Sequence, residues 1–124
     1  MTFEQNRPYT RDELNALLGG NVNFFLPTKG GKPLYGCFRR EVNPRLPDLV
    51  YVISGSQRER AARDAVLSRI PFPVFEQVES ETWQFIGDFL ATDYRPRAVV
   101  PSLPDENAEG EPLAGVLILK KFEE

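Results

Sequence analysis

Three short stretches carry residues whose type and spacing could do chemistry. In "FRREVNPRLPD", Arg39, Arg40, Asn43 and Arg45 crowd a proline-rich loop. Guanidinium forks match phosphate oxygens and guanine edges, so this loop reads as a nucleic-acid contact. Asn43 sits before Pro44, however, and an asparagine there can equally organise the turn through local backbone bonds. In "SGSQRER", Ser54, Gly55 and Ser56 lead from an apolar run into a helix that carries Arg58 and Arg60. Free backbone N–H groups, hydroxyls and guanidinium groups together can hold a phosphate. The alternative is a capped helix with a solvated basic face. In "WQFIGDFLA", strict alternation puts Trp83, Phe85, Gly87, Phe89 and Ala91 on one face of a strand. Those rings either fill a core or, with Tyr35, wall a pocket in which an unstacked base is held between aromatic faces. Gly87 between two aromatics either leaves a slot or permits a bend.

The composition excludes much other chemistry. The chain has 124 residues, no histidine and a single cysteine, Cys37. That removes the commonest general base and metal ligand, the Ser/His and Cys/His nucleophile pairs, an internal disulfide and any multi-cysteine zinc site. "KGGKP" lacks the spacing of a phosphate loop and precedes a strand. Glu76, Glu79, Glu81 and Asp88 lie near one hairpin without the arrangement that hydrolysis or a nuclease metal site needs. The expectation is a non-enzymatic protein with no catalytic residue, no metal and no cofactor.

Charge is unevenly spread. The net charge is −3, but residues 29–69 hold nine cations against four acids, and residues 76–124 hold eleven acids against four cations. A basic middle beside an acidic end either builds a cationic face or neutralises itself across the fold. The N-terminus has no cationic start followed by an apolar run, and no segment approaches the roughly 18 apolar residues of a membrane span. A cytoplasmic protein with no membrane partner is expected.

These residues must be positioned by short elements. "YTRDELNALLGG" is a helix, with Thr10 and Glu13 at capping-box spacing, Leu14, Leu17 and Leu18 as its apolar stripe and Gly19–Gly20 ending it. "VNFFLPT", the turn "TKGGKP" and "LYGCF" predict a hairpin. "LVYVI" predicts a strand buried on both faces. Ser56 and Glu59 have a second capping-box spacing before a helix whose Ala61, Ala62 and Ala65 suit close approach to a sheet. "VFEQV" and "WQFIGDFLATDY" predict two further strands, and residues 96–114 a long acidic, proline-rich loop before the closing strand "VLILKKF". Runs of strands with two helices, lacking regular alternation, predict a single α+β domain over residues 1–124. Its architecture is expected to be a curved mixed or antiparallel sheet, or a partly open barrel.

Several of these motifs recur in one order: Tyr9 to Glu13, Gly19–Gly20, Leu26–Pro27, Asn43 to Pro47, Pro73 to Phe75 and Trp83 to Phe89. Over residues 8–91 this pattern resembles a domain found joined to HNH nucleases or helicases in bacterial defence-type genes. It is similar to SRA-like and other PUA-superfamily modules. The resemblance implies a barrel-like module that reads modified or structured nucleic acid, DNA in preference to RNA. Arg39, Arg40, Asn43, Arg45, Arg58 and Arg60 are then the nucleic-acid contacts, and Trp83, Phe85 and Tyr35 the base pocket. Two other readings stay open: a protein-interaction or regulatory module whose acidic C-terminal half engages a basic partner, and a nucleotide or small-molecule binder at Ser54–Ser56.

Overall fold

The computed structural model describes residues 3–4, 7–20 and 24–123. In chain order its elements are β1 (Pro8–Tyr9), α1 (Arg11–Leu18), β2 (Thr28–Lys29), β3 (Lys32–Pro33), β4 (Gly36–Phe38), β5 (Leu49–Ile53), α2 (Ser56–Ser68), β6 (Phe72–Glu79), β7 (Thr82–Pro96), a 3-10 turn (Arg97–Val99) and β8 (Leu113–Lys121). The main sheet runs β4-β6-β7-β8-β5, with β1 added to β7. β4 and β6 are parallel and the other pairs antiparallel, so the sheet is mixed and open, its two ends being β4 and β5. This is the α+β architecture that the element order predicts.

β7 organises the sheet because it is long enough to serve two partners. Residues 82–89 pair with β6, and residues 89–96 pair with β8. Between them Ile86 is an extra residue: Phe75 faces Phe85 while the adjacent Val74 faces Gly87. A bulge of this kind bends a strand and exchanges its faces. Gly87 sits at φ 135°, which a side chain strongly disfavours. The Lys121 stem and the Phe89 ring lie 3.4 Å from where its Cβ would be. Gly87 therefore permits a bend and leaves no slot. The apparent single aromatic face is split. Trp83 and Phe85 join Phe3, Tyr9, Leu14, Tyr35, Cys37 and Phe75 in one core, while Phe89 and Ala91 join Phe72, Val74, Val50, Val52 and Leu117 in another.

The helices cap these two cores. α1 has the full capping box: Glu13 N donates to Thr10 Oγ1 and Thr10 N donates to Glu13 Oε1, each at 3.1 Å. Its Leu14 is buried in the aromatic core, and Gly19 in positive φ ends it. α2 lies on the second core through Ala61, Ala62 and Ala65, small enough to bring its backbone close to Val50, Val52 and Leu117. The expected capping box of α2 is corrected. Ser56 is already helical, the cap is Gly55 without a side-chain bond, and Glu59 reaches back to Gly55 N at 3.1 Å.

Two strand expectations also change. Only Thr28–Lys29 and Lys32–Pro33 form the predicted hairpin ladder, and residues 22–23 of its first strand lie outside the described residues. Phe25 and Pro27 instead offer single carbonyls, to Cys37 N at 2.9 Å and Leu34 N at 2.8 Å. Proline at 27 and 33 removes two donors from any longer ladder, and Gly36–Phe38 pairs with β6 in parallel. β5 is fully buried on one face only. Val50 and Val52 enter the core, whereas Leu49, Tyr51 and Ile53 are half-covered by Leu103, Leu113 and Val116.

Between the 3-10 turn and β8 the chain is tied down by Arg97. Its guanidinium donates to the carbonyls of Leu113 at 2.7 Å, Leu103 at 3.3 Å and Pro104 at 2.7 Å. Leu103 and Asn107 are buried within this otherwise acidic segment.

Candidate functional site

An open sheet that curves leaves a gap where its two edge strands fail to meet. Here β4 contributes Cys37 and Phe38, and β5 contributes Val50, Tyr51 and Ile53, to one cleft of about 750 Å³. The free edges are not left bare. Cys37 N donates to Phe25 O, and Tyr51 N donates to Asn43 Oδ1 at 2.8 Å. Asn43, buried in the corner after β4, also donates from Nδ2 to Arg39 O at 3.0 Å. It thus organises the turn and at the same time lines the cleft. Trp83, 8% exposed, is part of the lining of the cleft. Arg11, which donates to Phe24 O at 2.7 Å, lies with its guanidinium carbon 5.6 Å from the Trp83 ring and 5.7 Å from the Tyr35 ring.

The structure brings Arg39, Asn43, Arg58 and Trp83 to this cleft and places the other expected residues elsewhere. Tyr35 is completely buried and Phe85 lies in the aromatic core, and neither lines the cleft. Burial pushes the Tyr35 phenol above its ordinary pKa, against the opposing pull of the Arg11 guanidinium. The Cys37 thiol is likewise pushed up to about 12 by burial. Arg40 turns away to a two-pronged pair with Glu76, at 3.0 and 2.9 Å, and to Leu46 O. Arg45 is exposed at the turn, and Arg60 lies on the outer side of α2 beside Asp64. Ser54, Gly55 and Ser56 stand at the start of α2, where the Glu59 carboxylate already occupies the Gly55 N–H that an anion would take.

Sequence reasoning passed over Arg11, Asn107 and Glu111, all of which line the cleft. Arg11 was visible in the Tyr-Thr-Arg pattern. Asn107 lay inside an acidic run that resembles solvated loop. Its Oδ1 accepts from Glu109 N at 2.9 Å and Glu111 N at 3.0 Å, and its Nδ2 donates to Glu111 Oε1 at 3.2 Å. This Asx-type turn aims Glu109 at Arg39, and the two form a two-pronged ion pair. The Arg39 hydrogen bond is the main reason that the Glu109 carboxyl is held below the usual glutamate range. A depressed folded-state pKa means the pair's contribution is present above the ordinary glutamate pKa and is lost as pH falls through the lowered value. Carboxyl ¹³C titration should therefore give Glu109 a midpoint below that of an unpaired glutamate, and Arg39→Gln should return it to the ordinary range.

The mixed open sheet with one helix on each core defines an SRA-like α+β fold. The crystal structure of the SUVH5 SRA domain bound to fully hydroxymethylated CG DNA superimposes on this chain with a TM-score of 0.61. The match covers 94% of this chain and 86% of that one at 13% sequence identity, a likeness of fold. No protein-family model matches the sequence, and no curated protein matches it.

Proposed function

We propose that this chain is a non-enzymatic module that binds nucleic acid, DNA in preference to RNA, and receives a modified or flipped base in the cleft between β4 and β5. The observation that carries this reading is the seam itself: on an SRA-like fold, a cleft of about 750 Å³ brings Trp83, Arg39, Asn43 and Arg58 into one lining. The indole in the lining supplies an aromatic contact for a base, and Asn43 and the guanidinium groups supply polar contacts to its edge. The bound DNA of the SUVH5 structure is hydroxymethylated, which supports a modified base as the ligand class.

Fluorescence anisotropy tests the proposal with one duplex in unmodified, methylated and hydroxymethylated forms, and with the matching RNA, across a salt series. The expected result is salt-dependent binding that favours one modified DNA. Binding that is absent, or unaffected by salt, overturns the proposal and leaves the acidic segment as a docking element for a protein partner.

A further inference from the structure

A polynucleotide needs a track for its backbone as well as a pocket for a base, and the arginines nearest the cleft are poor candidates for that track. Arg39 and Arg40 are each closed by a carboxylate fork, from Glu109 and Glu76. The hairpin tip and α2 are different. Lys29 and Lys32 are direct cross-strand partners, and both are exposed. Like charges placed opposite each other destabilise a ladder only two residues long. An anion lodged between the two ammonium groups would relieve this repulsion.

The tip between them is bare backbone. Gly30 and Gly31 have φ of 60° and 76°, and a Cβ on either would meet nothing within 4 Å. A second groove of about 450 Å³ is lined by Thr28, Gly30 and Gly31 of this hairpin and by Gln57, Arg60 and Asp64 of α2, with Lys29 and Lys32 beside it and outside its lining. Arg60 is 83% exposed, and its ion partner Asp64 stands 3.8 Å away, too far for a hydrogen bond. Phe24 lines both this groove and the cleft.

We infer that the groove between the Lys29–Lys32 hairpin and α2 is the phosphate track of the protein, on which the backbone of a duplex lies while its base enters the adjoining cleft. Lys29, Lys32 and Arg60 contact successive phosphates, and Gly30–Gly31 lets the backbone approach closely. This surface rests on the base-reading proposal and deepens it by assigning the phosphate contacts to residues outside the 39–45 loop.

The test compares Lys29→Gln/Lys32→Gln/Arg60→Gln with Arg40→Gln/Arg45→Gln, using a short fluorescein-labelled duplex with one fully hydroxymethylated CG step. Each phosphate contact adds about 0.9 to the slope of log affinity against log salt, so the triple variant should lose roughly 2–3 units of slope and the double variant less than about 1. Thermal melts confirm that both variants fold, and neither change removes a buried group. If the triple variant keeps the wild-type slope while wild type still selects the modified duplex, the track is wrong and the base reading stands. If wild type binds no duplex, both fall. Stabilisation by inorganic phosphate at chloride-matched ionic strength, with the slope unchanged, would identify a free-phosphate site and overturn the track.

Discussion

Phe75→Ala should lower the melting temperature by roughly 10–20 °C, the largest effect expected of any single substitution in the aromatic core. Phe75 has no exposed surface and sits at the centre of a ring cluster, 5.1 Å from Phe3, 5.9 Å from Tyr9, 6.2 Å from Tyr35 and 5.7 Å from Phe85. Most of these contacts are edge-to-face, the geometry in which ring quadrupoles attract. Alanine removes the hub while the partners stay fixed by different elements: Tyr9 by β1, Phe85 by β7 and Tyr35 by the chain before β4. The site cannot collapse, so the cavity persists and costs about 3–5 kcal/mol. For a domain of this size that converts to the stated shift. A melt followed by circular dichroism reads it directly. A drop of only a few degrees would mean that the cluster can repack.

Trp83→Ala should separate selection from attraction. If the indole is the stacking surface for a base, its removal should weaken binding of the preferred duplex about 5- to 150-fold, the equivalent of roughly 1–3 kcal/mol of stacking. The salt slope should stay near wild type, because the cations that set it are elsewhere. Trp83→Phe, which keeps a ring, should recover most of the selection. Truncation will also destabilise the fold, since the indole packs against the aromatic core. Anisotropy therefore has to be measured well below the variant's melting temperature. An unchanged preference among modified and unmodified duplexes would show that Trp83 is core alone.

The sequence made the local elements legible where a single short-range rule decides them. Thr10 and Glu13 announce α1 because both bonds of the capping box close within one turn. Ala61, Ala62 and Ala65 announce how α2 meets the sheet because helix period and side-chain size suffice. Legibility failed where partners distant in sequence decide. The alternation of Trp83 to Ala91 looks like one face, and nothing local reveals that Ile86 bulges and hands the strand from one core to the other. Gly87 was the signal available, and it permitted both a slot and a bend. The cleft followed the same division. Trp83, Arg39, Asn43 and Arg58 could be picked out by type, but their meeting depends on which strands end the sheet. Tyr35 and Phe85 are aromatic too, but they lie in the core and outside the lining of the cleft. Glu109 could not be matched to Arg39 from composition, because the pair spans 70 positions of chain.

The double service of β7 bears on how the protein comes apart. Its amides and carbonyls hold β6, β8 and β1 together, so neither core can open while the other keeps this strand in place. The molecule should therefore lose its protected amides as one foldon, and the floor of the cleft inherits the stability of the whole. The hairpin tip, held by a two-residue ladder, falls outside that unit and can adjust to what it touches without loosening the main sheet.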